Sequence, residues 1–195
     1  MQRNPTISFL ASHGGSSAKN IIAAIDNGDL AANVGLIITN NRDSDIHQWC
    51  QENDIAIKHI SSKTHSAPDQ EDLAILQALI DAGTDLVVLS GYMKKIEKRT
   101  LAHFANCIVN IHPSLLPNHG GPGMYGDRVH RAVLAAGEKQ SGASVHLINE
   151  IYDDGPILAQ QQVPVYDHDT VATLKSRVQN IEGEIYLKAL KALVN

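Results

Sequence analysis

Apolar residues along this chain follow two alternating spacings. Residues 6–12, "TISFLAS", form a β-branched, apolar run and predict a strand. Residues 18–28, "AKNIIAAIDNG", place apolar side chains at helical spacing and end on Asn27-Gly28, a good helix terminator. The pattern then repeats. "NVGLIITN" (33–40) predicts a strand, "SDIHQWCQEND" (44–54) a helix, and "IAIKHIS" (55–61) a third, alternating strand. "HSAPDQEDLAILQALIDAG" (65–83) has a proline and acids at its start, a helical apolar stripe and a glycine stop. "DLVVLSGY" (85–92) is a continuous apolar run, as expected of a strand covered on both faces. A helix near 96–105 and a strand at 107–112, "CIVNIH", follow.

After residue 113 the spacing changes. "NHGGPGMYGDR" (118–128) predicts a glycine-rich loop, and "HRAVLAAGEKQSG" (130–142) a helix with a glycine stop. "ASVHLIN" (143–149) and "ILAQQQVPV" (157–165) predict two strands joined by a hairpin-like connection through "EIYDDGP". Residues 170–194 predict one long amphipathic helix. The β-α-β-α order gives an α/β fold: a Rossmann-like, doubly wound, mostly parallel sheet, with helices on both faces and a long C-terminal helix. Length and the lack of any repeat or linker predict a single domain over 1–195.

Composition narrows the function classes. The chain is 43% hydrophobic and 19% charged, ordinary for a soluble protein, and its net charge of −5 argues against a nucleic-acid-coating role. Cys50 and Cys107 are two lone thiols, too few for a disulfide framework or a zinc knuckle. No cationic start leads into an apolar run, and no apolar stretch approaches the ~20 residues that span a bilayer. The expected location is the cytoplasm, with no membrane partner. The scattered histidines, including His47, His59, His103 and His168, lack metal-site spacing, so no metal is expected.

Three places carry candidate chemistry. The first, "SHGGSSAKN" (12–20), lies between the first strand and first helix. Backbone N–H groups at a helix start, with glycines permitting close approach, make an anion site. It is neither a G-x-G-x-x-G fingerprint nor a P-loop, so a single phosphate suits it better than a dinucleotide or triphosphate. The second is "NIHPSLLP" (110–117). Side chains two apart on a strand share a face, so Asn110 and His112 stand side by side at a strand's carboxyl end, where open parallel sheets bind ligands. An amide and a protonatable donor are what a developing oxyanion needs. Pro113 and Pro117 restrict the chain that follows. The third is "EIYDDGP" (150–156). Adjacent acids in a Gly-Pro turn are usual turn chemistry, but a carboxylate beside His112 would favour its imidazolium.

Together "NIHPSLLP", "GASVHLIN" and "YDDGPILAQ" resemble the folate-dependent formyltransferase family, and the resemblance runs from about residue 6 to 190. It implies transfer of a formyl group from 10-formyltetrahydrofolate, as co-substrate and without metal, to the amine of glycinamide ribonucleotide in purine biosynthesis. The implied catalytic residues are Asn110, His112 and Asp153; "DDGP" sets Asp153 under the family acid and Asp154 under its first glycine. The phosphoribosyl substrate would be held by Gly15, Ser16 and Ser17, with Gln179 and Glu182 from "RVQNIE". The folate pocket would draw on Met93, Lys94, Lys95 and Ile96, on Asn110, and on Asn149, Glu150, Ile151, Tyr152 and Asp153. Ser17 replaces a more usual Asn, and Lys94 a more usual Arg, which keeps the charge but loses the planar fork. "HGGPGMYGDRVH" resembles a subgroup with a longer loop, expected to be a mobile lid.

Other acceptors compete within the same chemistry: methionyl-tRNA, a nucleotide amino-sugar, or water in formyl-folate hydrolysis. The first normally comes with a C-terminal RNA-binding domain and the last with an N-terminal regulatory domain. With a first strand near residue 6 and a last helix ending the chain, neither extra domain is expected, and Gly15–Ser17 with Gln179 and Glu182 favour a phosphoribosyl acceptor. A non-catalytic nucleotide-binding module would leave Asn110, His112 and Asp153 unexplained together. The expected assembly is a monomer or homodimer.

Overall fold

The alternation becomes a seven-stranded sheet in the computed structural model, which describes residues 3–194. The chain runs β1 (Thr6–Ala11), α1 (Ser16–Asp26), β2 (Asn33–Thr39), α2 (Asp45–Glu52), β3 (Ile57–His59), α3 (Pro68–Asp81), β4 (Leu86–Ser90) and α4 (Lys98–His103). It continues with β5 (Ile108–His112), α5 (Asp127–Ala135), β6 (Gln140–Leu147), β7 (Ile157–Pro164) and α6 (Val171–Val194). Strand order is β3-β2-β1-β4-β5-β6-β7. The β1–β2, β2–β3, β1–β4 and β4–β5 pairs are parallel, while β6 and β7 are antiparallel. The chain leaves β1 toward β2 and β3, then crosses back to β4. That reversal makes the gap beyond the ends of β1 and β4 a topological switch point.

The described chain resolves into two compact units, one through Val109 and one over Asn110–Leu193. In the first, Ile7, Phe9 and Leu10 of β1, Ile37 and Ile38 of β2 and Val87 and Val88 of β4 are fully buried. Strands covered on both faces need such unbroken apolar runs. Helix α1 adds Ile21, Ile22 and Ala24. In the second, α6 turns Leu174, Val178, Ile185, Tyr186, Ala189 and Leu190 inward, one stripe at helical spacing. Pro164 ends β7, a sheet-edge strand where a missing N–H is tolerated.

Some boundaries move from their predicted places, each for a local reason. Helix α1 starts at Ser16, because Gly15 turns in the left-handed region (φ 61°) and opens the helix there. β3 shrinks to three residues at the sheet edge, where only β2 pairs with it. The helix expected over 130–142 is α5, Asp127–Ala135. Gly126 (φ 54°) turns the chain into it, and the left-handed Gly137 (φ 66°) follows its end. The polar residues Gln140 and Ser141 belong instead to β6, where they pair with Pro164 and Val163.

Candidate active site

β5 ends by presenting Asn110 and His112, and the β6–β7 turn brings Asp153 to them. The Asp153 carboxylate lies between two imidazoles. Its Oδ2 is 3.5 Å from His112 Nδ1, and its Oδ1 is 3.6 Å from His146 Nε2. Both distances are longer than hydrogen bonds. Asn110 Nδ2 lies 3.2 Å from His146 Nε2, which extends the cluster to four polar side chains. His112, His146 and Asp153 side chains are 4%, 1% and 11% exposed, so little water screens them from one another. Burial pulls the His146 pKa below its ordinary value, against the raising influence of the Leu147 carbonyl and Asp153.

The segment after β5 closes over this cluster. His112 Nε2 donates to the His119 carbonyl at 2.9 Å, and the Gly121 N–H donates to Asp153 Oδ2 at 2.9 Å. The His119 side chain faces Glu138 at 3.3 Å. Asp153 (φ 56°) and His119 (φ 54°) both hold left-handed backbone, a conformation that costs a non-glycine residue and persists where its surroundings demand it. A Cβ on Gly120 would come within 2.6 Å of Leu116 and 3.2 Å of Asp153, so glycine is what lets the carboxylate in. The turn is also tied from beneath. Ser144 Oγ accepts from Leu116 N–H and donates to the Ser114 carbonyl, while Gln160 Nε2 donates to Ser144 Oγ and to the Leu116 carbonyl.

In the first unit, the ends of β1 and β4 are wired together. The Met93 N–H donates to Ser12 Oγ at 2.9 Å, and the Ala18 N–H to Ser90 Oγ at 3.0 Å. Gly15 occupies the N-cap of α1, and a Cβ there would meet Ile46 Cδ1 at 2.6 Å. It has no side chain to cap the helix, and the first turn holds no acid. At this helix start Ser16 is exposed and Ser17 buried, and the Ala18 N–H is met by Ser90 rather than by a cap residue.

The formyl transferase family profile matches residues 6–190. The chain belongs to the formyl transferase family. The chloroplastic phosphoribosylglycinamide formyltransferase of Vigna unguiculata is 36% identical over 98% of this chain and 61% of its own length. This chain thus spans somewhat under two thirds of that relative. The phosphoribosylglycinamide formyltransferase of Haemophilus influenzae is 32% identical, over 95% of this chain and 85% of its own length. Among solved structures, glycinamide ribonucleotide transformylase 1 of Symbiobacterium toebii superposes with a TM-score of 0.92 at 30% identity, covering all of this chain and 89% of its own.

The other expected site residues fall in four places. Met93 is half-exposed and Ile96 buried. Ile96 lines a cavity of about 350 Å³ with Ser62, Glu71, Tyr92, Lys94 and Lys95. Lys94 Nζ is 2.6 Å from Glu71 Oε1, so its charge already has a partner. Asn149 to Tyr152 form an exposed turn, and Asn149 Oδ1 accepts from the Ile151 N–H at 2.8 Å. On α6, Gln179 is exposed and Glu182 partly buried; burial raises the Glu182 pKa, with Lys175 opposing. The motif reading missed His146, Ser144, Gly120, Gly121 and Gln160. His146 stood inside "SVHLIN", but a lone histidine on an apolar strand has no signal that separates a site residue from a core one. Among the described residues, no cluster of His, Cys, Asp and Glu is arranged to hold a metal. Nor is any helix among them long and apolar enough to cross a membrane.

Proposed function

We propose that this chain transfers the formyl group of 10-formyltetrahydrofolate to the amine of glycinamide ribonucleotide, a step of purine biosynthesis. The observation that carries the reading is the largely water-shielded cluster of Asn110, His112, Asp153 and His146 at the end of β5. The relatives' names supply the substrate class. The substrate amine attacks the formyl carbon and forms the new C–N bond. The carbonyl oxygen takes up negative charge, which the Asn110 amide and His112 N–H stabilise as donors. Collapse breaks the bond to the folate nitrogen, which leaves with a proton while the attacking amine loses one. Asp153 orients His112. No covalent enzyme intermediate is needed.

In this reading the α1 start at Gly15, Ser16 and Ser17 binds the substrate phosphate, and Gln179 and Glu182 bind its ribose. Met93 to Ile96 and Asn149 to Asp153 hold the folate, and Lys95 attracts its acidic tail. The His119 carbonyl yields its place on His112 Nε2 when substrate enters, which makes 118–128 a lid. The family profile spans both compact units, which supports one functional domain over 1–195. The protein would work in the cytoplasm as a monomer or homodimer, without nucleic-acid or membrane partners.

The test mixes purified protein with 10-formyltetrahydrofolate and glycinamide ribonucleotide. Deformylated folate should appear only when the ribonucleotide is present. Turnover without acceptor would indicate the hydrolase, and no turnover would indicate a binding module. His112→Ala should lower kcat by about 10²–10³-fold with the thermal midpoint unchanged, and full activity in that variant would overturn the mechanism.

A further inference from the structure

His146 is a buried side chain to which the proposed chemistry assigns no role of its own. Its two ring nitrogens have different partners. Nδ1 lies 3.0 Å from the Leu147 carbonyl oxygen, which can only accept, so Nδ1 carries a proton. Burial favours the neutral ring, as the lowered pKa also indicates, and a neutral ring with Nδ1–H has a lone pair on Nε2. That lone pair faces Asn110 at 3.2 Å. An acceptor there admits only the NH₂ end of the amide, since the Asn110 carbonyl oxygen would set lone pair against lone pair. The Leu147 backbone therefore decides, through one imidazole, which way Asn110 points.

We propose that His146 is a positioning residue for formyl transfer: held as its Nδ1–H tautomer by the Leu147 carbonyl, it accepts from Asn110 Nδ2 and locks the amide with its second N–H directed to the oxyanion. The proposal rests on the formyl-transfer reading for its kinetic consequences but not for its structural content. An unlocked asparagine presents its oxygen as readily as its nitrogen, and an oxygen facing a developing oxyanion repels it. The lock acts on the transition state, because the donor matters most where charge develops. Substrate binding does not depend on it.

His146→Leu removes the acceptor. It should lower kcat by about 10–100-fold while KM for both substrates stays within about twofold, because amide orientation is lost but the pockets are kept. His146→Gln restores an acceptor that cannot ionise, and should recover kcat to within about threefold of the parent. In an Asn110→Ala background, His146→Leu should change kcat by less than about twofold, since a residue acting through Asn110 has nothing left to orient. Nitrogen-detected NMR of the intact protein near neutral pH should show Nδ1 protonated and Nε2 bare, in a signal that His146→Gln abolishes. This last arm needs no substrate, so it tests the lock even if the wild-type protein transfers no formyl group. An Nε2–H tautomer, a folded His146→Gln as impaired as His146→Leu, unimpaired kcat in a folded His146→Leu, or losses that multiply in the Asn110→Ala background would each overturn the proposal.

Discussion

Asp153 and Asp154 are neighbours in one turn, yet only Asp153 points inward, while Asp154 is exposed. The left-handed backbone of Asp153 is what turns its carboxylate between His112 and His146, and the Gly121 N–H fixes one of its oxygens. Two identical side chains thus face opposite electrostatic settings. Asp153→Asn keeps the shape but removes the charge that orients His112, and should lower kcat by about 10²-fold. Asp154→Asn should stay within about twofold of the parent, as an exposed charge is screened by water and salt. Steady-state kinetics on both variants checks this, with circular dichroism to establish that each is folded. Equal losses in the two would refute the assignment.

At the scale of elements, α4 is a short helix whose N-cap, Glu97, makes no side-chain cap bond. The cap comes from α3 instead. The buried Asp72 carboxylate accepts from the Arg99 N–H at 2.9 Å, the Thr100 N–H at 3.1 Å and Thr100 Oγ1 at 2.6 Å. One acid thus satisfies orphan donors that every helix start leaves, and ties α3 to α4 beneath the 93–96 segment. Asp72→Ala would strand buried donors and should cost about 1–3 kcal/mol, read as a lowered urea midpoint with unchanged slope. An unchanged midpoint would show that water replaces the cap. This contact was invisible in the chain, where Asp72 reads as one more acid in the first turns of an amphipathic helix. Local pattern found the elements because apolar spacing and glycine stops act within a few residues. It misplaced α5 and β6 because Gln140 and Ser141 become strand only by pairing with the distant β7. The site divided the same way. Asn110 and His112 were legible because strand geometry alone puts them on one face. His146 and the His119 carbonyl take their meaning from what they face across the fold, and no spacing encodes that.

At the scale of the whole molecule, burial has been imposed on groups that prefer charge, and this sets how stability depends on pH. His130 and His146 are both pulled below the ordinary value of 6.5, first by desolvation. For His130, Lys175 and His112 push the same way while Asp127 opposes. His130 Nδ1 is, in addition, buried without a hydrogen-bond partner. Both histidines therefore bind protons more readily in the unfolded chain. Their stabilising effect is complete above pH 6.5 and is lost as pH falls through their lowered folded values. Asp169 adds a later stage. Arg177 grips it with two bonds of 2.6 and 2.8 Å, and with the Tyr166 N–H and Thr173 holds its carboxyl well below the ordinary 3.8. Its contribution stands above pH 4 and disappears only in stronger acid. Glu182 runs the opposite way: its raised pKa makes burial of the carboxylate a cost once pH climbs past its ordinary 4.5. A calorimetric series from pH 8 to 3 should accordingly show a level thermal midpoint down to about pH 6.5, then a decline as two histidines take up protons, and a steeper one below about pH 4. His130→Gln with His146→Gln should flatten the first decline and leave the second. A first decline that persists unchanged in the double variant would mean that the two imidazoles are not kept neutral by the fold.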